Sequence, residues 1–377
     1  MTNLWDPLRL RGVTLPHRVV ISPMVMYHGT RDGLARDWHL AHYGRFALGG
    51  AAMVFVEATA VDPQGRGSYA DLGLWDDVHV EPLRRIAALL ESLGSVPAIQ
   101  LQHTGRKGAA RRPWDGYRPL DDEDIRLRGE APWPLVAPSP LAVNDHSQVP
   151  EALDQAGMSR IVASYVDAAR RADAAGFRLL EVHAAHGYLL HEFLSPISNH
   201  RTDAYGGGRE SRMRFPLEVV EAVRSVWPAD KPLSVRVSSV DGADGGWELE
   251  DTVAFAAELA ARGVDVVDCS SGGISGSATV ARVPRGPGFQ VPYAERVRRE
   301  VGIATIAVGL ITTAEHAAQV VADERADLVA IGRQALVEPN WPNLARRELR
   351  GDGSWQDWPD ETGWWLQKRE ESLRASP

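Results

Sequence analysis

Eight short apolar runs recur along this chain: RVVISP (18–23), AMVFVEA (52–58), PAIQLQ (97–102), RLLEVH (178–183), LSVRVS (233–238), VDVVDCS (264–270), IATIAVG (303–309) and DLVAIGR (327–333). Each is rich in Val, Ile or Leu and alternates little, the pattern of parallel strands buried on both faces. Between them the apolar spacing becomes helical. The clearest case sets Met158, Ile161, Val162, Tyr165, Val166 and Ala169 on one face and predicts a helix ending before Gly176, a C-terminal cap. Another helix is predicted to open at Thr312 and Glu315, which have capping-box spacing. Eight strands, seven intervening helical stretches and a last one at 340–349 count out to an α/β chain folded as a (β/α)8 TIM barrel. A doubly wound sheet would place G-x-G-x-x-G after the first strand, and SPMVMYHG does not supply it.

Two segments exceed the needs of a barrel of about 250 residues. Residues 105–150 follow the third strand and carry Arg106, Arg111, Arg112, the acidic run DDED (121–124) and many prolines. A stretch that long is expected to be a lid insertion over the barrel mouth. From 351 onward the chain holds Trp355, Trp358, Trp364 and Trp365, too much aromatic surface to leave in water. The expected organisation is a barrel over 1–350, with its lid, and a tail over 351–377 docked at a subunit interface.

Composition narrows the function classes. With 44% hydrophobic residues the 377-residue chain can bury a large core, and its net charge of −9 argues against nucleic acid or an anionic membrane as partner. No run approaches the roughly 18 apolar residues of a membrane span, and MTNLWDPLRLRGV has no signal-peptide core, so a cytoplasmic protein is expected. Cys269 is the only cysteine, which excludes an intrachain disulfide and an iron–sulfur centre with its several thiolate ligands.

Barrels gather their chemistry at the C-terminal ends of the strands. Here those ends are Ser22, Pro23 and Met24, then Ala58, Gln100, His183, Arg236, Gly309, and Gly332 with Arg333. Each glycine alone reads as an ordinary turn residue; together, with Arg333, they read better as a phosphate site. Arg236 lies inside an apolar strand and must be paired, either in a salt bridge across the barrel or against an electron-rich cofactor ring. Gln100 offers an amide donor and acceptor suited to a flavin's pyrimidine edge. His183, His186 and Tyr188, in HAAHGY, can bind a carbonyl oxygen and deliver a proton. H-x-x-H is also a metal-ligand spacing, but no further carboxylate or His set stands at the other strand ends, so no metal is expected.

SPMVMY (22–27), VEATAVDPQGR (56–66), HTGRK (103–107), HAAHGYLLHEFLSPISNHRTDAYGG (183–207) and AVG…IGR (307–333) resemble the old yellow enzyme family of FMN-dependent ene-reductases, in its thermophilic-like, xenobiotic-reductase-like branch. The resemblance implies FMN as cofactor and NADPH, or NADH, as reductant. It also implies an α,β-unsaturated carbonyl substrate (an enone or enal) and a homodimer or dimer of dimers. Residue by residue, it sets Ser22, Pro23, Met24 and Ala58 against the flavin ring, Gln100 on its pyrimidine part, and Arg236 near its N1 and the ribityl chain. Gly309, Gly332 and Arg333 take the phosphate. His183 and His186 hold the carbonyl oxygen with Tyr27 nearby, and Tyr188 donates the proton. Val25 stands where that branch usually has a cysteine, Gly208 and Ser211 depart from its usual YGGSxENR, and the tail lacks its common ending. Trp365, with Trp364 as alternate, is the candidate to reach a partner's site. The alternative activity on the same fold is an FMN-dependent desaturase or dehydrogenase; a non-enzymatic flavin-binding protein is opposed by the intact His183, His186 and Tyr188.

Overall fold

In the computed structural model, which describes residues 2–275 and 283–375, all eight apolar runs become strands. They are β1 (Val19–Ile21), β2 (Met53–Ala60), β3 (Val96–Gln102), β4 (Leu179–Ala184), β5 (Leu233–Ser238), β6 (Val266–Ser270), β7 (Ala304–Ala307) and β8 (Leu328–Ile331). Each is hydrogen-bonded in parallel to the next and β8 closes on β1, giving the (β/α)8 barrel. The outer helices are α1 (Asp37–Leu48), α2 (Val80–Ser92), α3 (Gln155–Ala174), α4 (Arg209–Val226), α5 (Leu249–Ala261), α6 (Val291–Val301), α7 (Ala314–Ala322) and α8 (Trp341–Arg350).

Alternate strand residues explain two apolar layers. Val20, Phe55, Ala98, Leu179, Val266, Ile306 and Leu328 fill the barrel interior, whereas Val54, Ile99, Leu180, Val235 and Val329 face the helices. A hairpin that the sequence reading passed over, Leu8–Leu10 with Val13–Leu15, adds Leu10 and Leu15 to the interior cluster. With the interior filled by side chains, the two cavities lined by strand-end residues lie at the strands' C-terminal mouth.

Helix α3 buries Met158, Ile161, Tyr165 and Ala169 as its spacing predicts, with Val162 and Val166 half-buried. It stops before Gly176, whose φ of +91° is the left-handed turn that favours glycine. The capping-box expectation at Thr312 is corrected: α7 is capped by Thr313, whose side chain accepts the amide of His316.

The segment 105–150 is folded. Its helix Asp122–Arg128 is capped by Asp121, and the DDED run holds Arg111 through Asp121 and Asp124. Ala109, Leu120 and Leu135 form a small core of its own. In the tail, Trp358 is buried and Trp355 lies under the guanidinium of Arg347 at 4.0 Å. Trp364 and Trp365, on helix α9 (Asp360–Ala375), remain 54% and 68% exposed.

Candidate active site

Beyond β4 the chain enters a tight turn in which His186 and Gly187 both take left-handed backbone, at φ +61° and +71°. A Cβ on Gly187 would stand 2.3 Å from the Gly273 carbonyl oxygen and 2.8 Å from Lys107 Nζ, so only glycine fits. The turn folds the two histidines together. Nδ1 of His186 lies 3.2 Å from Nε2 of His183, and their rings meet edge to face, as do those of His183 and Tyr188. Ser238 Oγ accepts the His186 amide at 2.9 Å, and Ser270 Oγ stands 2.7 Å from Nε2 of His186.

His183, His186 and Tyr188 line a cavity of about 430 Å³ together with Pro23, Val25, Tyr27, Ala58, Gln100 and Arg236. Ala58 is brought there by a register shift in β2 between Val56 and Thr59, a bulge of the kind that re-aims residues beside sites. Lys107, Pro113 and Tyr117, all from the segment after β3, form another wall. A second cavity of about 320 Å³ shares Pro23, His186 and Arg236 with the first and runs past Ser22, Met24 and Ser270 to Gly309, Gly332 and Arg333. Thus the candidate strand-end residues come together. Trp365 does not join them: it belongs to the tail surface of its own chain. A larger groove near Trp5 and Arg346 holds none of these groups.

Burial sets the charges. His183 and His186 are held well below the usual imidazole value by loss of water, with the Arg236 cation adding to it, so both rings are neutral. Burial, then the neighbouring Tyr117 and Tyr27, raises the Tyr188 phenol well above its ordinary value. Arg236 was left open between two readings from sequence. Its Nε pairs with Asp268 at 3.2 Å on the adjacent strand, and its Nη1 donates to Ser22 Oγ at 3.3 Å. The guanidinium is therefore paired and still lines both cavities. Gln100 Nε2 donates to Glu181 at 2.8 Å, and burial pushes that carboxyl up to about 8.

Residues 3–351 match the sequence model of the NADH:flavin oxidoreductase / NADH oxidase family. The chain belongs to that family. This flavoprotein is 44% identical to an NADPH dehydrogenase of Geobacillus thermodenitrificans over 349 residues, which cover 92% of this chain and 95% of the relative. An NADPH dehydrogenase of Listeria monocytogenes is 43% identical over 350 residues, covering 93% and 96%. Among solved structures, morphinone reductase superposes with a TM-score of 0.75 at 29% identity over 91% of this chain and 89% of its own. These likenesses make the protein an old yellow enzyme-type, FMN-dependent oxidoreductase that draws on NAD(P)H.

The joined cavities fit FMN in chemistry. They offer an amide at Gln100, a buried cation at Arg236 at their junction, and two glycines with an arginine at the far end. Gly309 has a φ of +122°, open to glycine alone. Around the cavity stand residues that sequence reasoning missed. Ser270 and Ser238 orient His186, and Lys107 and Tyr117 wall the cavity. Ser270 ends a predicted strand, the one signal that could have found it.

Proposed function

We propose that the flavoprotein reduces the activated C=C bond of α,β-unsaturated carbonyl compounds with NADPH as reductant. One observation carries this reading: two neutral imidazole nitrogens 3.2 Å apart and a phenol beside them line the same cavity. When bound, FMN would supply the hydride chemistry that links oxidation of the nicotinamide to reduction at the substrate's β-carbon.

The chain's own residues do the rest. With the carbonyl oxygen seated between the rings, each ring carries its proton on the nitrogen facing that oxygen, Nε2 of His183 and Nδ1 of His186. Both donate to it in place of their mutual contact and stabilise the negative charge that grows there, in the manner of an oxyanion hole. The Tyr188 phenol, kept protonated by its surroundings, gives its proton to the α-carbon, so that a hydride and a proton together saturate the double bond. Arg236 places a positive charge at the junction of the cavities, where Gln100 from one side and Ser22, Pro23, Met24 and Ala58 from the other would hold the ring system. Gly309, Gly332 and Arg333 would bind the phosphate. Val25 and Tyr27 shape the substrate end, and Pro113 and Tyr117 exclude water from it. Trp365 is assigned to a partner subunit's cavity; its 68% exposure on α9 supports this.

The test is anaerobic. Protein reduced with stoichiometric NADPH is mixed with 2-cyclohexen-1-one and its flavin absorbance followed. Rapid return of the oxidised spectrum is expected. Reduction without return would move the reading to the desaturase.

A further inference from the structure

Lys107 is a buried cation that the mechanism above does not use. It ends the short turn Gly105–Lys107 directly after β3. Its Nζ donates to the carbonyl oxygen of His186 at 2.7 Å and to that of Gly273, in the loops after β4 and β6. The same nitrogen lies 5.9 Å from the centre of the Tyr188 ring. One ammonium therefore ties the loop after β3, which carries it, to the loops after β4 and β6 at the barrel mouth.

We infer that Lys107 is a positioning residue for the oxygen-binding pair: its ammonium holds the left-handed backbone of His186 and so fixes Nδ1 of that ring opposite Nε2 of His183. The inference rests on the proposed role of this pair. His186 bears a side chain in a conformation that such residues rarely adopt. Its amide is anchored on Ser238 and its ring on Ser270; the carbonyl is the remaining anchor, and a charge-assisted bond to Lys107 supplies it.

The turn that presents Lys107 is itself pinned. The Arg106 amide donates to Glu192 at 2.9 Å, and the Arg106 guanidinium donates to the Ile274 carbonyl at 2.8 Å, next to Gly273. Glu192 belongs to the helix Leu189–Leu194 that begins just after Tyr188. Without the ammonium, two carbonyls lose a charged donor and the turn can relax.

Among the described residues, the ionisable groups around Lys107 are Glu192, whose charge favours the ammonium, and Arg106, which opposes it. The others are the neutral rings of His183 and His186 and the phenols of Tyr188 and Tyr117. Burial dominates and lowers the Lys107 pKa from 10.5 to about 7. The ammonium is thus present at acid pH and lost as pH rises through about 7.

The experiment uses FMN-loaded wild type, Lys107→Met and Lys107→Arg. Binding of 4-chlorophenol, whose oxygen takes the place of a substrate oxygen, is read from the flavin absorbance, and KM for cyclohexenone is measured from pH 6 to 9. Lys107→Met is expected to bind the phenol at least about tenfold more weakly, and Lys107→Arg to recover to within about threefold. Wild-type KM is expected to rise above pH 7, whereas that of the always-charged Lys107→Arg stays level. Wild-type phenol affinity in Lys107→Met overturns the inference. If Lys107→Met fails to fold, the pH profiles decide, and identical profiles in wild type and Lys107→Arg overturn it. A wild type that binds the phenol in a Lys107-dependent way but reduces no enone removes the proposed reaction and leaves the positioning role. A wild type that binds no phenol removes both.

Discussion

Replacing His186 by alanine separates ground-state binding from catalysis at this site. The substitution exchanges one side-chain-bearing residue for another at φ +61°, so the turn keeps its strain, its amide bond to Ser238 and its carbonyl bond to Lys107. What is lost is one of two neutral donors on the substrate oxygen. Against an uncharged carbonyl such a hydrogen bond is worth about 0.5–1.5 kcal/mol, which at about 1.4 kcal/mol per decade is roughly two- to twelvefold. Binding of the nicotinamide carboxamide to the same pair would weaken by that factor. In the transition state of enone reduction the oxygen carries developing charge, and loss of one donor there costs about 10²–10³ in rate. His183 remains and both rings are neutral, so the low end applies, about 10²-fold. Stopped-flow absorbance measures both halves: reduction of the protein by NADPH, and its reoxidation by cyclohexenone. Reoxidation is expected to slow about eight- to fiftyfold more than reduction. Equal slowing of the two would refute the oxyanion role, because it would mean that the ring contributes nothing specific to the charged oxygen.

Further outcomes follow from the same geometry. Tyr188→Phe should slow enone reoxidation by about 10²-fold or more while leaving reduction by NADPH near wild type; comparable losses in both would remove Tyr188 as proton donor. Gly187→Ala places a Cβ 2.3 Å from the Gly273 oxygen at positive φ, a conformation that alone costs about 1–2 kcal/mol. A lowered thermal midpoint is expected, and an unchanged one would show that the turn has room to move. Because His183 and His186 are held well below 6.5 by burial and Arg236, they stay neutral as pH falls from 7 to 5, and KM for cyclohexenone should not rise over that span. A rise centred near 6.5 would place the rings in water. Trp365→Ala should raise the enone KM in an oligomer shown intact by analytical ultracentrifugation, and an unchanged KM there would confine Trp365 to packing.

The barrel was legible because its strands are unusually plain: DLVAIGR holds four apolar residues in a row, and those four become the strand Leu328–Ile331. The N-terminal hairpin was not, since Leu8–Leu10 and Val13–Leu15 are three residues each, too short to show a period. The displaced cap at α7 has a similar cause. Thr312 and Thr313 are both capping residues, and only the backbone decides which one meets the helix.

For the site, the groups at the ends of strands could be read and those in the loops between them could not. Closing the barrel converts eight separate run ends into one ring, so Gln100, His183 and Arg236 needed no knowledge of loop paths. Lys107 and Tyr117 reach the same place through turns whose course depends on positive-φ residues and on contacts between distant loops.

Arg236 shows the limit most clearly. A charge inside an apolar strand requires a partner, and the sequence offered a salt bridge and a cofactor as rival answers. In the barrel they are compatible, because Asp268 is the register partner of Arg236 on β6 while His183 is its partner on β4. The guanidinium can be neutralised from one side by Asp268 and still line the cavity beside His183. Register between strands carries that information, and no single run of residues contains it.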